Sequence, residues 1–110
     1  MKDFQLGEFE EIVLLTVAIL FGDAYGVTLK AEIESRLNRK VSIGALQSAL
    51  RRMEQKGYLN SEFGEATAMR GGKRKRFFTV TDLGKKALAL SRETRNQLWD
   101  AIPDMAFKIA

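Results

Sequence analysis

The sequence contains no cysteine, no histidine and a single proline among its 110 residues. Without cysteine there are no disulfides, thiol nucleophiles or thiolate metal sites, which fits a reducing cytoplasm. Without histidine the commonest general base and the commonest metal ligand are both gone. Any catalysis would rest on carboxylates, and no acidic pair stands out; Glu62 and Glu65 read as surface charges that balance nearby cations. We therefore expect no enzyme, no metal and no cofactor. A long apolar run is missing too. Ile12 to Phe21, in which only Thr16 is polar, is ten residues long, and a bilayer span needs about 20. The acidic flank Glu8, Glu10 and Glu11 is wrong for a secretory leader, so a soluble chain is expected.

What remains is globular: 45% of residues are hydrophobic, enough for one small core in a single domain. The net charge is +4, from 18 Lys and Arg against 14 Asp and Glu. Its distribution says more than its size. Glu8, Glu10, Glu11 and Asp23 make the first quarter acidic, while Arg36 to Arg76 is strongly basic. A concentrated basic region on an otherwise balanced protein is an electrostatic footprint for phosphate. The densest part is "MRGGKRKRFF", Met69 to Phe78, with five cations in the seven residues from Arg70 to Arg76.

Apolar spacing predicts a first helix over about Glu8 to Phe21, with its glutamates at the positive end of the helix dipole. Its apolar residues cover nearly the whole circumference, which points to burial on several sides. One small domain offers one core, so the second face, with Ile12, Leu15 and Ile19, is expected to meet another subunit. Gly22-Asp23 breaks this helix. A second helix runs from about Val27 to Asn38, with Leu29, Ile33 and Leu37 on one stripe. A third is N-capped by Ser42 and closed by Gly57. Its apolar face carries Ile43, Leu46, Leu50 and Met53. Gly44, Ser48, Arg51, Arg52 and Gln55 lie opposite, flanked by Ala45 and Gln47. Small residues at the start allow close approach to a groove floor, and arginines a turn later can reach phosphates or guanine edges. That pair is a helix-turn-helix candidate; a merely solvated charged face would look similar.

After Gly57 the period changes to two. Leu59, Ser61 and Phe63 alternate with Asn60, Glu62 and Gly64, and Arg76 to Thr81 is a second strand rich in Phe, Thr and Val. Two strands joined by a glycine-containing segment form a hairpin, with Phe77 and Phe78 as packing residues. A phosphate-binding P-loop would lead its glycines into a helix, and here they lead into a strand. Thr81-Asp82 caps a last helix to about Ala101, ended or kinked by Pro103. Leu83, Ala87 and Leu90 can pack on the domain. Leu88, Leu98, Trp99 and Ile102 extend an apolar surface beyond what one domain needs. The expected fold is mainly α with a small β-hairpin (α+β), a winged helix-turn-helix. Residues 1–80 form the DNA-binding part and residues 81–110 a dimerisation helix packed with it.

From Leu6 to about Leu90 the chain resembles the PadR family of bacterial transcriptional regulators. The resemblance lies in Leu6-Gly7-Glu8-Phe9-Glu10 with "IVLLTVAIL", in Ala24-Tyr25-Gly26, and in Ser42-Ile43-Gly44-Ala45-Leu46 through Ala49-Leu50-Arg51-Arg52-Met53-Glu54 and Gly57-Tyr58-Leu59. It continues in Gly72-Lys73-Arg74-Lys75-Arg76-Phe77-Phe78, Val80-Thr81 and Gly84. The family usually has tyrosine where this chain has Gln47; glutamine can still bond a phosphate or an adenine edge. The resemblance implies a cytoplasmic bacterial homodimer that represses by binding a palindromic double-stranded DNA operator. It also implies release by a small aromatic effector near the dimer interface. There Trp99 would be a stacking surface, or simply pack in the interface.

On this reading Ser42, Gly44, Ala45, Gln47, Ser48, Arg51 and Arg52 face the groove, and Arg70, Lys73, Arg74, Lys75 and Arg76 meet flanking phosphates. The alternative is a winged-helix interaction module whose basic wing docks on an acidic protein partner.

Overall fold

The computed structural model describes residues 5–64 and 74–108. Arg70 and Lys73, two of the expected wing cations, lie outside the described residues. Helix α1 spans Glu8–Ile19, α2 Gly26–Leu37 and α3 Ile43–Gln55. Strands β1 (Leu59–Phe63) and β2 (Arg76–Val80) follow, then α4 (Asp82–Asp100) and a 3-10 turn, Asp104–Phe107. The strands pair antiparallel, from Leu59 opposite Val80 to Phe63 opposite Arg76. The Gly64 amide extends the ladder by donating to the Lys75 carbonyl at 2.7 Å.

The helix ends are set locally. Glu10 reaches back to accept from the Gly7 amide at 3.0 Å, which satisfies one orphan donor of α1. Ser42 Oγ accepts from the Ala45 amide at 3.2 Å, the N-cap expected of it. At the other end of α3, Gly57 has φ of +83°, where a side chain would be strained. The Gly57 amide donates to Glu54 O and the Tyr58 amide to Met53 O, at 3.0 and 2.8 Å. These are the paired bonds of a Schellman ending, and they turn the chain directly into β1.

The core lies where α1, α2, α3 and the hairpin meet. Val13, Leu14 and Val17 of α1 are fully buried with Leu29, Ile33, Leu46, Leu50, Met53 and Tyr58. The hairpin docks through Phe78, whose side chain is buried and whose amide donates to the Ala24 carbonyl at 2.8 Å.

Two expectations about packing need correction. Ile43 is not on the core face but 51% exposed, because the first turn of α3 overhangs the edge of the core; Ala49 fills the inner face instead. Leu37, Leu83 and Leu90 are likewise exposed rather than packed. Helix α1 keeps a second apolar face within the chain: Leu15 and Ile19 are 45% and 51% exposed, while Ile12 and, from α4, Leu88 pack partly against the core.

Helix α4 begins under the hairpin. Thr81 Oγ1 donates to the Gly57 carbonyl at 2.6 Å and accepts from the Gly84 amide at 3.0 Å. Only Gly84 and Ala87 of α4 are buried. Ser91 and Arg95 then tie the helix to α1 by donating to Glu11 at 3.1 and 2.7 Å. Beyond Ser91 the rest of α4 is exposed, Leu98 and Trp99 included.

Candidate nucleic-acid interface

The turn between α2 and α3 is fastened by a carboxylate. Glu34 Oε2 accepts from the Val41 amide at 2.8 Å and from Lys30 Nζ at 2.9 Å. The Val41 bond first, then Lys30, holds the Glu34 pKa below its ordinary value. This fixes where α3 starts. Ser42, Gly44, Ala45 and Gln47 are all exposed along its outer side, and Ser48 is half-buried.

Two adjoining clefts join this helix to the wing. One, of about 220 Å³, is lined by the start of α2 (Tyr25, Gly26 and Val27), by Ile43 and Gln47, and by Arg74, Lys75, Arg76 and Phe78. The other contains Gln47, Arg51, Glu54 and Arg76. The structure therefore brings Gln47, Arg51, Arg74, Lys75 and Arg76 onto one side. Arg51 makes no ion pair among the described residues.

Two of the expected cations are engaged elsewhere. Arg52 Nε lies 3.0 Å from Glu10 Oε2, and Lys56 Nζ lies 3.3 Å from Glu10 Oε1. Arg52 thus points toward α1 rather than away from the domain. Arg76 donates through Nη2 to Glu54 Oε1 and through Nε to Ser61 Oγ, both at 2.9 Å. Ser61 Oγ in turn donates to Glu54 Oε2 at 2.5 Å. The triad links β2, β1 and α3, so the base of the hairpin is braced against α3. Aromatic faces steady the other wing cations: Lys75 Nζ sits 4.6 Å from the Tyr25 ring centre, and Arg74 lies over Phe63 at 6.0 Å. Tyr25, Ser61 and Phe63 were not singled out from the sequence as supports. Tyr25 lies far along the chain from Lys75, and Ser61 and Phe63 meet Arg76 and Arg74 only across the hairpin, so no helical or strand period marks them.

Among the described residues Glu10 is the one buried acidic side chain. Burial pushes its pKa up, but the Gly7 amide, Arg52 and Lys56 together outweigh it, and the net shift is downward from the ordinary 4.5. A carboxylate with a depressed folded-state pKa stabilises the fold above its unfolded pKa. That contribution is lost as pH falls through the folded value. Charged hydrogen bonds of this kind are worth about 1–2 kcal/mol here, after discounting for the half-exposed cations. We expect Glu10→Gln to be less stable than the parent at pH 7 by about that amount. The difference should close as pH falls through the lowered pKa of Glu10, beneath the ordinary carboxylate range; urea melts from neutral to acidic pH check it, and a gap that stayed constant would remove the charged role of Glu10.

A cleft of about 860 Å³ lies between the α1 end and α4, lined by Leu6, Glu10, Lys56, Arg95 and Leu98 among others. Trp99 lies outside its lining, 67% exposed, with its ring 6.1 Å from that of Phe107. No cluster of metal ligands occurs among the described residues, and none of their helices is long and apolar enough to cross a membrane.

Three helices followed by a docked antiparallel hairpin, with cations beside the exposed face of the third helix, define a winged helix-turn-helix protein. A family model described as the transcriptional regulator PadR-like family matches residues 14–90. The chain belongs to this family, and it is a DNA-binding transcriptional regulator rather than an enzyme.

Solved structures share the fold. A PadR-like transcription factor from Bacteroides fragilis is 20% identical with a TM-score of 0.72, covering 84% of each chain. A PadR family regulator from Eggerthella lenta is 23% identical with a TM-score of 0.68, covering 88% of this chain and 82% of that one. A transcriptional regulator from Clostridium thermocellum is 24% identical with a TM-score of 0.66, covering 86% and 92%. None of the curated proteins compared with the chain matches it.

Proposed function

We propose that this protein is a cytoplasmic bacterial repressor that binds a palindromic operator as a homodimer. The observation that carries the reading is the shared placement of Gln47, Arg51, Arg74, Lys75 and Arg76 along two adjoining clefts. In this reading α3 enters the major groove. Ser42, Gly44, Ala45, Gln47 and Ser48 approach the base edges, and Arg51 reaches phosphate or guanine. Arg52 joins them only by leaving Glu10. Arg74, Lys75 and Arg76 meet flanking phosphates, together with Arg70 and Lys73.

Residues 1–80 carry DNA binding and residues 81–110 dimerisation. The exposed Leu15 and Ile19 of α1 and Leu98 and Trp99 of α4 support the second role; Ile12, Leu88 and Ile102 contribute what their partial burial leaves free. The reading includes release by a small flat aromatic compound at Trp99.

Each cation that neutralises a phosphate steepens the fall of log affinity with log salt by about 0.9. We expect Arg74→Ala and Lys75→Ala each to flatten that slope by about this much and to weaken all duplexes alike. Gln47→Ala or Ser48→Ala should change which sequence is preferred. Titrations of fluorescent duplexes at several salt concentrations separate the two; wing variants that lost discrimination but kept non-specific affinity would reverse the roles.

Selection of duplexes from a random pool at physiological salt tests the whole reading. An inverted repeat with half-sites about one helical turn apart supports it. Recovery of random duplex alone removes the operator, and shifts the basic wing to non-specific binding or to an acidic protein partner.

A further inference from the structure

Two branched apolar side chains stand on the proposed DNA-facing surface with nothing in the domain to explain them. Ile43, the first residue of α3, is 51% exposed, and Val27, in the first turn of α2, is 59% exposed. The core is closed without them, since Leu29 and Leu46 on the same two helices are fully buried. Nor does either side chain serve a helix start: Ser42 caps α3, and Thr28 accepts from the Tyr25 amide at 3.1 Å at the start of α2.

Their surroundings narrow the occupant. Both line the cleft that holds Gln47, Arg74, Lys75 and Arg76, and no described residue of its lining is a carboxylate. The residue after Ile43 is Gly44, so no side chain crowds it there; a Cβ at Gly44 would meet only Ser42 Oγ, at 3.6 Å. The Gln47 amide is packed over the start of α2, with its Nε2 only 3.1 Å from where a Cβ on Gly26 would stand. A small apolar pair beside a polar amide, rimmed by cations, complements a polyanion that displays one apolar group among hydrogen-bonding edges. In the major groove of DNA that group is the C5-methyl of thymine. An acidic protein would satisfy the cations but supplies no reason for an amide between them and the apolar pair.

We propose that Ile43, with Val27 beside it, reads a thymine methyl group in each operator half-site. This rests on the groove-facing role of α3 proposed above. It makes the start of the helix a specificity element rather than only a backbone close approach.

The experiment uses the duplex recovered by selection and the intact protein. Each thymine is replaced in turn by deoxyuridine, which lacks only the C5-methyl. We expect one or two positions per half-site to lose about three- to fivefold in affinity, the worth of burying one methyl group. In Ile43→Ala the parent duplex should bind more weakly, and deoxyuridine at those positions should cost nothing further. Val27→Ala should reduce the penalty without abolishing it. Thermal melts confirm that each variant is folded, as expected of exposed positions.

A protein that prefers the selected duplex but is indifferent to every deoxyuridine overturns the methyl contact and leaves the operator reading intact. So does a penalty that persists unchanged in Ile43→Ala. Failure to prefer any duplex overturns both readings together.

Discussion

Gly84→Ala is expected to lower the unfolding midpoint by about 10–20 °C, which corresponds to about 2–3 kcal/mol for a domain of this size. Gly84 lies in the first turn of α4 where that helix passes under the hairpin. A Cβ there would collide with the Tyr58 backbone carbonyl and stand 2.9 Å from Val80 Cγ1. Neither obstacle can swing aside. The Tyr58 carbonyl accepts from the Thr81 amide at 3.0 Å, and Val80 ends the paired strand β2. Relief would require lifting the start of α4, and with it the Thr81 bonds to Gly57 and Tyr58.

Helix propensity opposes this loss, because alanine is favoured over glycine inside a helix by about 1 kcal/mol. Gly44→Ala is the matched control. Its added Cβ meets only an ordinary contact, so this variant should melt at or slightly above the parent. Calorimetry of the two variants side by side checks the argument. Equal melting would mean that the start of α4 is not seated against the Tyr58 carbonyl and β2 as described.

The second large effect is on DNA binding. Arg76→Ala is expected to weaken operator binding about 10- to 100-fold near 0.1 M salt, well beyond the loss in Arg74→Ala. Arg76 has two tasks. It adds positive charge beside Gln47 and Arg51, and it neutralises Glu54, which lines the same cleft. Removing it takes away a cation and uncovers a carboxylate in the cleft proposed above to meet the operator. Truncating one member of a hydrogen-bonded charge pair costs binding largely through the charge left behind. Exposure moderates the figure, since the side chains of Arg76 and Glu54 are 49% and 32% exposed.

The decisive variant is the double one. Arg76→Ala with Glu54→Gln should recover a large part of the lost affinity, and Glu54→Gln alone should bind at least as well as the parent. If the double variant were no better than Arg76→Ala, the brace would matter for holding the wing in place and not for masking Glu54. Duplex titrations at two salt concentrations give all four corners of the cycle.

Most of the architecture was legible because its signals are local. Ser42 and Thr81 cap α3 and α4, and Gly57 ends α3, through bonds that span only a few residues. Helical period marked the buried Leu46, Leu50 and Met53, and alternation marked the strands. Ile43 was misassigned for a physical reason. Periodicity says which face of a helix is apolar, but not where the partner helices stop, and the first turn of α3 runs past them.

The long-range pairings of charge belong to the tertiary structure alone, unlike the i,i+4 pairs Lys30–Glu34 and Glu32–Arg36. Glu10 lies 42 residues from Arg52, Glu54 22 from Arg76, and Glu11 84 from Arg95. A composition that is acidic early and basic later announces that such pairs can form. It does not say which cations they consume and which, like Arg51, they leave without an ion pair among the described residues. Close approach is undetermined in the same way. Gly84 reads as an unremarkable helical residue until the Tyr58 carbonyl is placed against it. Local bonding and hydrophobic period therefore decided that this chain is a winged helix. Contacts between residues distant in sequence decided which of its cations and apolar side chains are free to meet a partner.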